Sequence, residues 1–239
     1  MKRFFVGLTL VVLGVVFAGC DGFFEVAETE SGRVMLAPTT PAVDEGYGMQ
    51  QVHADLGDVE VCGYLVLVNR DNAVDAAGLG GMVAAWPTVP VSVIDGMYLH
   101  PTALAAVAEM FEAARSEGIS GLHVTSGFRS IEHQTLLYDG GRNPFALPPG
   151  HSEHHTGLAA DIMAVGVSQA QFGNSEQGRW LAQNSWRFGL ILRYPAGTEH
   201  ITGVPYEPWH FRYVGISHAE FIFQNQIVLE EYLEILANR

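Results

Sequence analysis

Apolar residues recur at helical spacing in several stretches of the chain. The clearest stretch runs from Pro101 to Glu117, where proline suits the first turn and a glycine follows the last one. Capping patterns predict one helix after Ser130 and two more that begin at Asn174 and Ser217. The predicted helices therefore cover residues 101–117, 131–138, 174–188 and 218–236.

Short apolar runs typical of strands lie between and before these helices. The predicted strands cover residues 61–69, 122–125, 158–163, 190–193 and 211–215. Residues 73–90 and 139–150 are rich in glycine and proline and are predicted to be irregular loops. The elements do not alternate regularly, as they would in a parallel doubly wound sheet. The expected fold class is therefore α+β, with helices packed on a small, mostly antiparallel sheet.

The N-terminus has the pattern of an export signal. Two basic residues precede an uncharged apolar run that ends at Phe17 and is short for a membrane span. Small residues before Cys20 resemble the lipobox of bacterial lipoproteins, although Phe17 stands where that motif usually has leucine. Ordinary signal-peptidase cleavage and an uncleaved anchor remain open alternatives. Each of these alternatives places the rest of the chain outside the cytoplasm.

The remainder of the chain is interpreted as a tether and one folded domain. We predict a signal peptide over residues 1–19, an acidic tether containing proline and threonine over 20–57, and one folded domain over 58–239. The net charge of −14 argues against nucleic acid as a partner. Membrane contact is expected only through a lipid on Cys20, and no protein partner is implied. Cys62 is then expected to be a small buried residue.

His154 and Asp161 are candidate metal ligands. If the chain turns over residues 152–157 and enters a strand at Leu158, the two side chains can converge. Imidazole and carboxylate groups are good zinc donors. His210, on an adjacent strand, would complete the set. On spacing alone, surface or core histidines remain an alternative interpretation.

Glu207 is the candidate general base. It lies three residues before His210, and Pro205 and Pro208 favour an extended or turned backbone around it. Its carboxylate can then reach over a metal without binding it, take a proton from the attacking water and return it to the leaving amine. Three protein ligands, an open position and a base are the components of a hydrolytic zinc site.

Several motifs in this order resemble those of the VanY-type zinc D-alanyl-D-alanine carboxypeptidases. That group also includes VanX dipeptidases, L-alanyl-D-glutamate endopeptidases and the hedgehog signalling domain, which share one zinc-dependent fold. The resemblance runs from about residue 64 to residue 215 and covers most of the predicted domain. The matching motifs are Ser152-x-His154 followed by Asp161, Glu207-Pro-Trp-His210, Ser126-Gly-Phe-Arg129-Ser and Ile201-Thr-Gly.

The resemblance implies a role for each matching position. His154, Asp161 and His210 match the Zn²⁺ ligands, and Glu207 matches the catalytic base. Arg129 matches the arginine that helps to bind substrate and to stabilise the developing oxyanion. A cation at the tip of a loop is suited to that role on physical grounds as well.

Two further residues are predicted to bind substrate. Ser152 matches a serine thought to contact the terminal part of the substrate, although a turn-forming or capping role stays open. Gln134 could point into the same cleft as Arg129, or face the core or solvent. Glu153 is expected to support a ligand or to face solvent. The neighbouring histidines that are not expected to bind zinc are His133, His151 and His155.

These inferences predict an exported zinc carboxypeptidase that removes the C-terminal D-alanine from peptidoglycan stem peptides. The expected location is extracytoplasmic, with a lipid anchor, and the expected partner is a stem peptide ending in D-Ala-D-Ala. An endopeptidase that cuts within the stem is one alternative. The loops over 73–90 and 139–150 would decide whether the enzyme cuts at the end of the stem or within it. A zinc-binding module without turnover is another, but the presence of Glu207 argues against it.

Overall fold

The computed structural model describes residues 17–19, 22–28, 34–38, 63–74, 98–143 and 145–238. Two compact units divide the chain, residues 1–59 and residues 60–239. Within the described ranges, no helix combines the length and the apolar character that a membrane crossing requires. Cys20, Cys62 and most of the predicted loop over 73–90 lie outside the described residues, so the lipid on Cys20 stays a prediction.

The first unit contains a three-stranded antiparallel sheet in the order β1-β2-β3. Phenylalanine and valine, which favour extended backbone, are frequent in its strands. These strands lie inside the stretches that we interpret as a signal peptide and a tether, and the sequence pattern did not predict their pairing. The domain boundaries themselves stay predictions. The strands are β1 Phe17–Gly19, β2 Gly22–Glu28 and β3 Val34–Pro38.

The second unit is built on a four-stranded antiparallel sheet in the order β4-β5-β7-β6. Its strands agree with the predicted ones to within two residues at each end, which is the usual scatter of strand boundaries. The mixture of helices with a small antiparallel sheet confirms the α+β class. The strands are β4 Leu122–Ser126, β5 Ala159–Ala164, β6 Leu190–Leu192 and β7 His210–Tyr213.

The predicted strand over residues 61–69 is wrong. Gly63–Leu65 forms a 3₁₀ turn, and the described residues 63–74 contain no strand. The carbonyl oxygens of Tyr64 and Val66 accept hydrogen bonds from the guanidinium of Arg212 rather than from a neighbouring strand. An apolar run cannot predict this outcome, because the donor is a side chain far along the sequence.

The described part of the second unit contains seven α-helices and several 3₁₀ turns before, between and after these strands. Ser130 caps α2 as predicted, since its hydroxyl accepts a hydrogen bond from the backbone N–H of His133. Helix α1 agrees with the predicted helix to within one residue. The helices are α1 Pro101–Ser116, α2 Ile131–Tyr138, α3 Gln169–Phe172, α4 Glu176–Asn184, α5 Glu199–Thr202, α6 Ile216–Asn225 and α7 Leu229–Ala237.

Two helix predictions need correction. Ser175, rather than Asn174, caps α4, which then tightens into a 3₁₀ turn. Gly215, rather than Ser217, precedes α6. The predicted C-terminal helix is in fact two helices, because Gln226 adopts a left-handed backbone conformation with φ of 53° and ends α6.

The apolar core lies on both faces of the sheet. The larger cluster includes Val107 and Met110 of α1 together with Leu190 of β6. The smaller cluster includes Ile191, the next residue of β6, together with Leu229 of α7. Successive strand residues point to opposite faces, so α1 and α7 pack on opposite sides of β6. Packed helices therefore hold β6, the edge strand that pairs with β7 and its site residue His210.

Candidate active site

Adjacent strands bring two of the predicted metal ligands together. Asp161 of β5 and His210 of β7 are direct register partners in the antiparallel sheet. Residues opposite each other on paired strands point to the same face, with Cβ atoms about 5 Å apart. The Oδ1 atom of Asp161 lies 3.1 Å from Nδ1 of His210. Strand pairing thus places side by side two residues that lie far apart in the sequence.

His154 comes from a 3₁₀ turn that precedes β5. The turn covers Glu153–Thr156 and ends at Gly157, whose φ of 70° is the left-handed conformation that glycine adopts without strain. Nδ1 of His154 lies 2.7 Å from the carbonyl oxygen of Gly127, so Nδ1–H donates and the lone pair of Nε2 is free for a metal. Nε2 lies 3.4 Å from Oδ2 of Asp161.

The three side chains fit a zinc ion. His154, Asp161 and His210 each offer a ligand atom, and these atoms lie within 4.8 Å of one another. Zinc bonds of about 2.0–2.1 Å place tetrahedral ligands about 3.3 Å apart, which is close to the spacing found here. The two imidazole rings are nearly perpendicular, with centroids 4.9 Å apart, so they can approach one point from different directions.

Glu207 lies beside this group, as the sequence predicts. Its backbone N–H donates to the carbonyl oxygen of Tyr194, and its own carbonyl oxygen accepts from the N–H of His210. Its Oε2 atom lies 3.7 Å from Nδ1 of His210, and the residue is 5% exposed. Burial raises the pKa of Glu207 to about 7, and the nearby His210 opposes the rise. A carboxyl with a pKa near neutrality is suited to general acid–base catalysis.

Arg129 reaches the same place from the loop after β4. Its guanidinium donates to Oγ of Ser126 at 2.9 Å and to Oε1 of Gln134 at 2.8 Å. One of its nitrogens lies 3.8 Å from Oδ2 of Asp161. Gln134 in turn donates to the carbonyl oxygen of Leu147 at 2.6 Å. Gln134 therefore holds the guanidinium, a contribution that the sequence alone did not predict.

The family of this chain follows from its match to known proteins. The model of the family described as VanY: D-alanyl-D-alanine carboxypeptidase matches residues 96–216, which is half of the chain. The chain belongs to the VanY D-alanyl-D-alanine carboxypeptidase family. The resemblance stated from the motifs is thereby confirmed.

Curated and structurally known relatives align with more than half of this chain. A D-alanyl-D-alanine carboxypeptidase from Enterococcus faecium is 38% identical over 140 residues, covering 59% of this chain and 45% of the relative. The LD-carboxypeptidase LdcB, solved in a study of peptidoglycan recognition, is 36% identical with a TM-score of 0.65 and covers 72% of this chain and 86% of its own. The chain spans about half the length of the first curated relatives that it matches.

One solved VanY structure identifies the metal. This vancomycin-resistance D,D-pentapeptidase from a VanB-type cassette, in mutant form, is in complex with Zn(II). It is 36% identical to this chain, covers 71% of it and 98% of its own length, and has a TM-score of 0.61. Together with the His–Asp–His group, this relative confirms Zn²⁺ as the expected cofactor.

The cleft beside the VanY motifs contains every predicted site residue. Ser152 is buried and lines the cleft with Gln134 and Arg129. Trp209 is half-buried and also lines the cleft, where its ring meets that of Phe145 edge to face at 5.9 Å. Trp209 therefore lies in the wall of the cleft.

A buried group behind His210 was largely missed by the sequence analysis. Glu153 does not face solvent; its carboxylate lies against Arg193, Arg212 and His210. Tyr194 packs its ring on that of His210, with centroids 4.9 Å apart. The available signal was the presence of two arginines within the otherwise apolar strands β6–β7 and their flanks, since a buried charge requires a partner.

Proposed function

We propose that this chain is an exported zinc carboxypeptidase that removes the C-terminal D-alanine from peptidoglycan stem peptides. The observation that carries the proposal is the arrangement of Glu207 and Arg129 around the His154–Asp161–His210 group in one cleft. The names of the VanY relatives support the substrate class. Because the chain spans about half of its first curated relatives, its activity and substrate are inferred from the site that it does contain.

Each residue of the cleft has a distinct task in this reaction. Zn²⁺, when bound by the two histidines and Asp161, supplies Lewis acidity toward the attacking water and the scissile carbonyl. Glu207 takes a proton from the attacking water while the water oxygen bonds to the carbonyl carbon. It then delivers that proton to the leaving amine as the C–N bond breaks. Arg129 holds the negative charge that develops on the carbonyl oxygen.

Ser152 and Gln134 complete the substrate side of the cleft. Ser152 has a hydroxyl that can donate to the terminal carboxylate of the peptide. Gln134 acts through its hydrogen bond to Arg129, which fixes the direction of the guanidinium. A guanidinium that is already oriented loses less conformational entropy when it binds substrate.

The N-terminal pattern supports an extracytoplasmic location, with Cys20 carrying a lipid and the acidic segment serving as a tether. A tethered enzyme at the outer face of the membrane would have access to stem peptides. Metabolic labelling with palmitate tests the anchor, and a labelled wild type with an unlabelled Cys20→Ala variant is the expected result. Absence of label on the wild type would rule out the lipid.

The reaction is tested by the products formed from purified stem peptides. We expect a pentapeptide ending in D-Ala-D-Ala to lose one alanine. A second candidate is LD-carboxypeptidase activity, favoured by the likeness to LdcB, and it would instead remove the terminal D-alanine of a tetrapeptide. Mass spectrometry of both substrates separates the two reactions, and a cut within the stem would identify an endopeptidase.

The rate is expected to decrease as the pH falls through the acidic range. Burial raises the pKa of Glu207 to about 7, and only the deprotonated carboxylate can accept a proton from water. The proximity of Zn²⁺ stabilises the carboxylate, so the acidic limb of kcat/KM should lie at or below that value. Measurement of kcat/KM over about pH 5–9 checks this, and a rate that rises on acidification would contradict the role of Glu207 as a base.

A further inference from the structure

A buried cluster of four charged side chains lies behind His210. Glu153, Arg193 and Arg212 have fully buried side chains, and that of Glu230 is 11% exposed. Two carboxylates and two guanidiniums balance in charge. Burying such groups costs several kcal/mol per ion, so the cluster persists only because its members are closely paired. None of these residues has a task in the reaction proposed above.

The two arginines hold the carboxylate of Glu153 in one orientation. Its Oε1 atom accepts from Nε of Arg193 at 2.8 Å and from a terminal nitrogen of Arg212 at 2.9 Å. Both strong donors therefore meet the same oxygen. The other oxygen, Oε2, is turned toward His210 and lies 3.4 Å from its Nε2 atom.

His210 thus has an acceptor on each side of its ring. Nε2 faces Glu153, while Nδ1 lies 3.1 Å from Asp161 and 3.7 Å from Glu207. A neutral imidazole carries one proton, and a carboxylate without a proton can only accept. A ring that donates Nε2–H to Glu153 presents the lone pair of Nδ1 to the metal group.

We propose that Glu153, oriented by Arg193 and Arg212, is a positioning residue that holds the proton of His210 on Nε2 and directs Nδ1 to the metal. This inference rests on the proposed zinc site. Glu153 also precedes His154 in the same 3₁₀ turn. One residue therefore links two ligands, His154 through the backbone and His210 through a side-chain hydrogen bond.

Arg193 and Arg212 explain how a charged acceptor is kept in a buried site. Arg193 uses its terminal nitrogens to bind Glu230 at 2.8 and 2.6 Å, which fixes the guanidinium that faces Glu153. Arg212 is fixed by the carbonyl oxygens of residues 64 and 66. The chain segment at 63–74, the C-terminal helix and the sheet all contribute to the position of one carboxylate.

The substitution Glu153→Gln tests this role while preserving the shape of the side chain. The arginines still require an acceptor, so they retain the amide oxygen and leave the amide N–H group facing Nε2 of His210. A donor at that position favours the tautomer of His210 that carries its proton on Nδ1. A protonated Nδ1 has no lone pair to offer to the metal. We expect zinc affinity about 10–100-fold weaker than wild type, as is typical when the partner of a metal-bound histidine is lost.

Glu230→Gln is the matched control, because it removes the same charge from the same cluster without touching His210. Glutamine keeps an oxygen that accepts from Arg193, and Glu153 still faces His210, so Glu230→Gln should weaken zinc binding clearly less than Glu153→Gln does, although thermal unfolding should show both variants destabilised. Zinc affinity is measured by competition with a chromophoric chelator on the folded full-length protein. Equal zinc affinities for the two variants would show that Glu153 is only structural.

A measurement on the wild type keeps the proposal testable if Glu153→Gln fails to fold. Nitrogen-15 NMR of the zinc-loaded, histidine-labelled protein should show Nε2 of His210 protonated and Nδ1 without a proton. A proton on Nδ1 overturns the inference. If the wild type has this proton on Nδ1 but still binds zinc and cleaves peptides, only the role of Glu153 is refuted. If the wild type binds no zinc, the proposed function itself is refuted.

Discussion

Substitution of Glu207 by glutamine is expected to lower kcat/KM for a pentapeptide by about 10²- to 10⁴-fold, the usual contribution of general acid–base catalysis. Glutamine preserves the volume of the side chain but cannot accept a proton from water. Glu207 is not part of the His–Asp–His group, so the variant should bind one zinc ion per chain as the wild type does. Steady-state kinetics together with metal analysis measures both quantities.

Glu199→Gln is the control for this substitution. Glu199 is exposed and begins α5, eight residues before Glu207, so the variant loses the same charge outside the cleft. Its kinetics should match those of the wild type. If Glu207→Gln retained full activity, another group would have to be the base; if it lost zinc, Glu207 would be a ligand instead.

The metal group could be predicted from sequence because the relevant patterns are local. His154 and Asp161 lie within one turn-and-strand segment, and the glycine between them marks the turn. His210 opens a strand of its own, and short strands in this kind of domain pair with their neighbours. The local pattern could not predict the register of β5 against β7, which places His210 opposite Asp161.

The errors concern one segment where a tertiary contact overrides local preference and one helix end that no glycine or proline marks. The apolar run over 61–69 has strand character, but the carbonyl groups of Tyr64 and Val66 are bonded to Arg212. The break at Gln226 lies inside a continuous helical pattern, without a glycine or proline to mark it. In the first case the deciding partner, Arg212, is distant in sequence, so neither periodicity nor propensity can indicate it. At Gln226 the helix is closed locally, by hydrogen bonds from the N–H groups of residues 226 and 227 to the carbonyl oxygens of Phe223 and Ile222.

The cluster around Glu153 is the part of the site that the sequence concealed most completely. Two arginines in apolar surroundings indicate that acidic partners exist, but spacing cannot identify Glu153 and Glu230 as those partners. Their pairing depends on how α7 packs against β6. The burial of Glu153 would by itself raise its pKa, yet Arg193 and Arg212 lower it well below its ordinary value and keep the carboxylate charged.

Replacement of Asp161 by asparagine is expected to remove zinc and to lower kcat/KM by about 10³-fold or more. A metal supplies several kcal/mol of transition-state stabilisation, and each 1.36 kcal/mol is worth about a factor of ten. Burial alone would raise the pKa of Asp161, but His154 and His210 hold it well below its ordinary value, so the carboxylate is charged at neutral pH, as a metal ligand must be. Asparagine keeps the shape and loses the anionic charge.

Asp139→Asn provides the matched control for this variant. Asp139 is exposed at the end of α2, forms an ion pair with Arg142 and has a left-handed backbone conformation that asparagine also tolerates. Zinc content and kcat/KM should therefore be unchanged.

Asp161 also lies 3.8 Å from Arg129, so the loss of its charge weakens the electrostatic attraction on that guanidinium as well. Added zinc should restore activity to Asp161→Asn only in part, and full activity with one zinc per chain would mean that Asp161 is not a ligand.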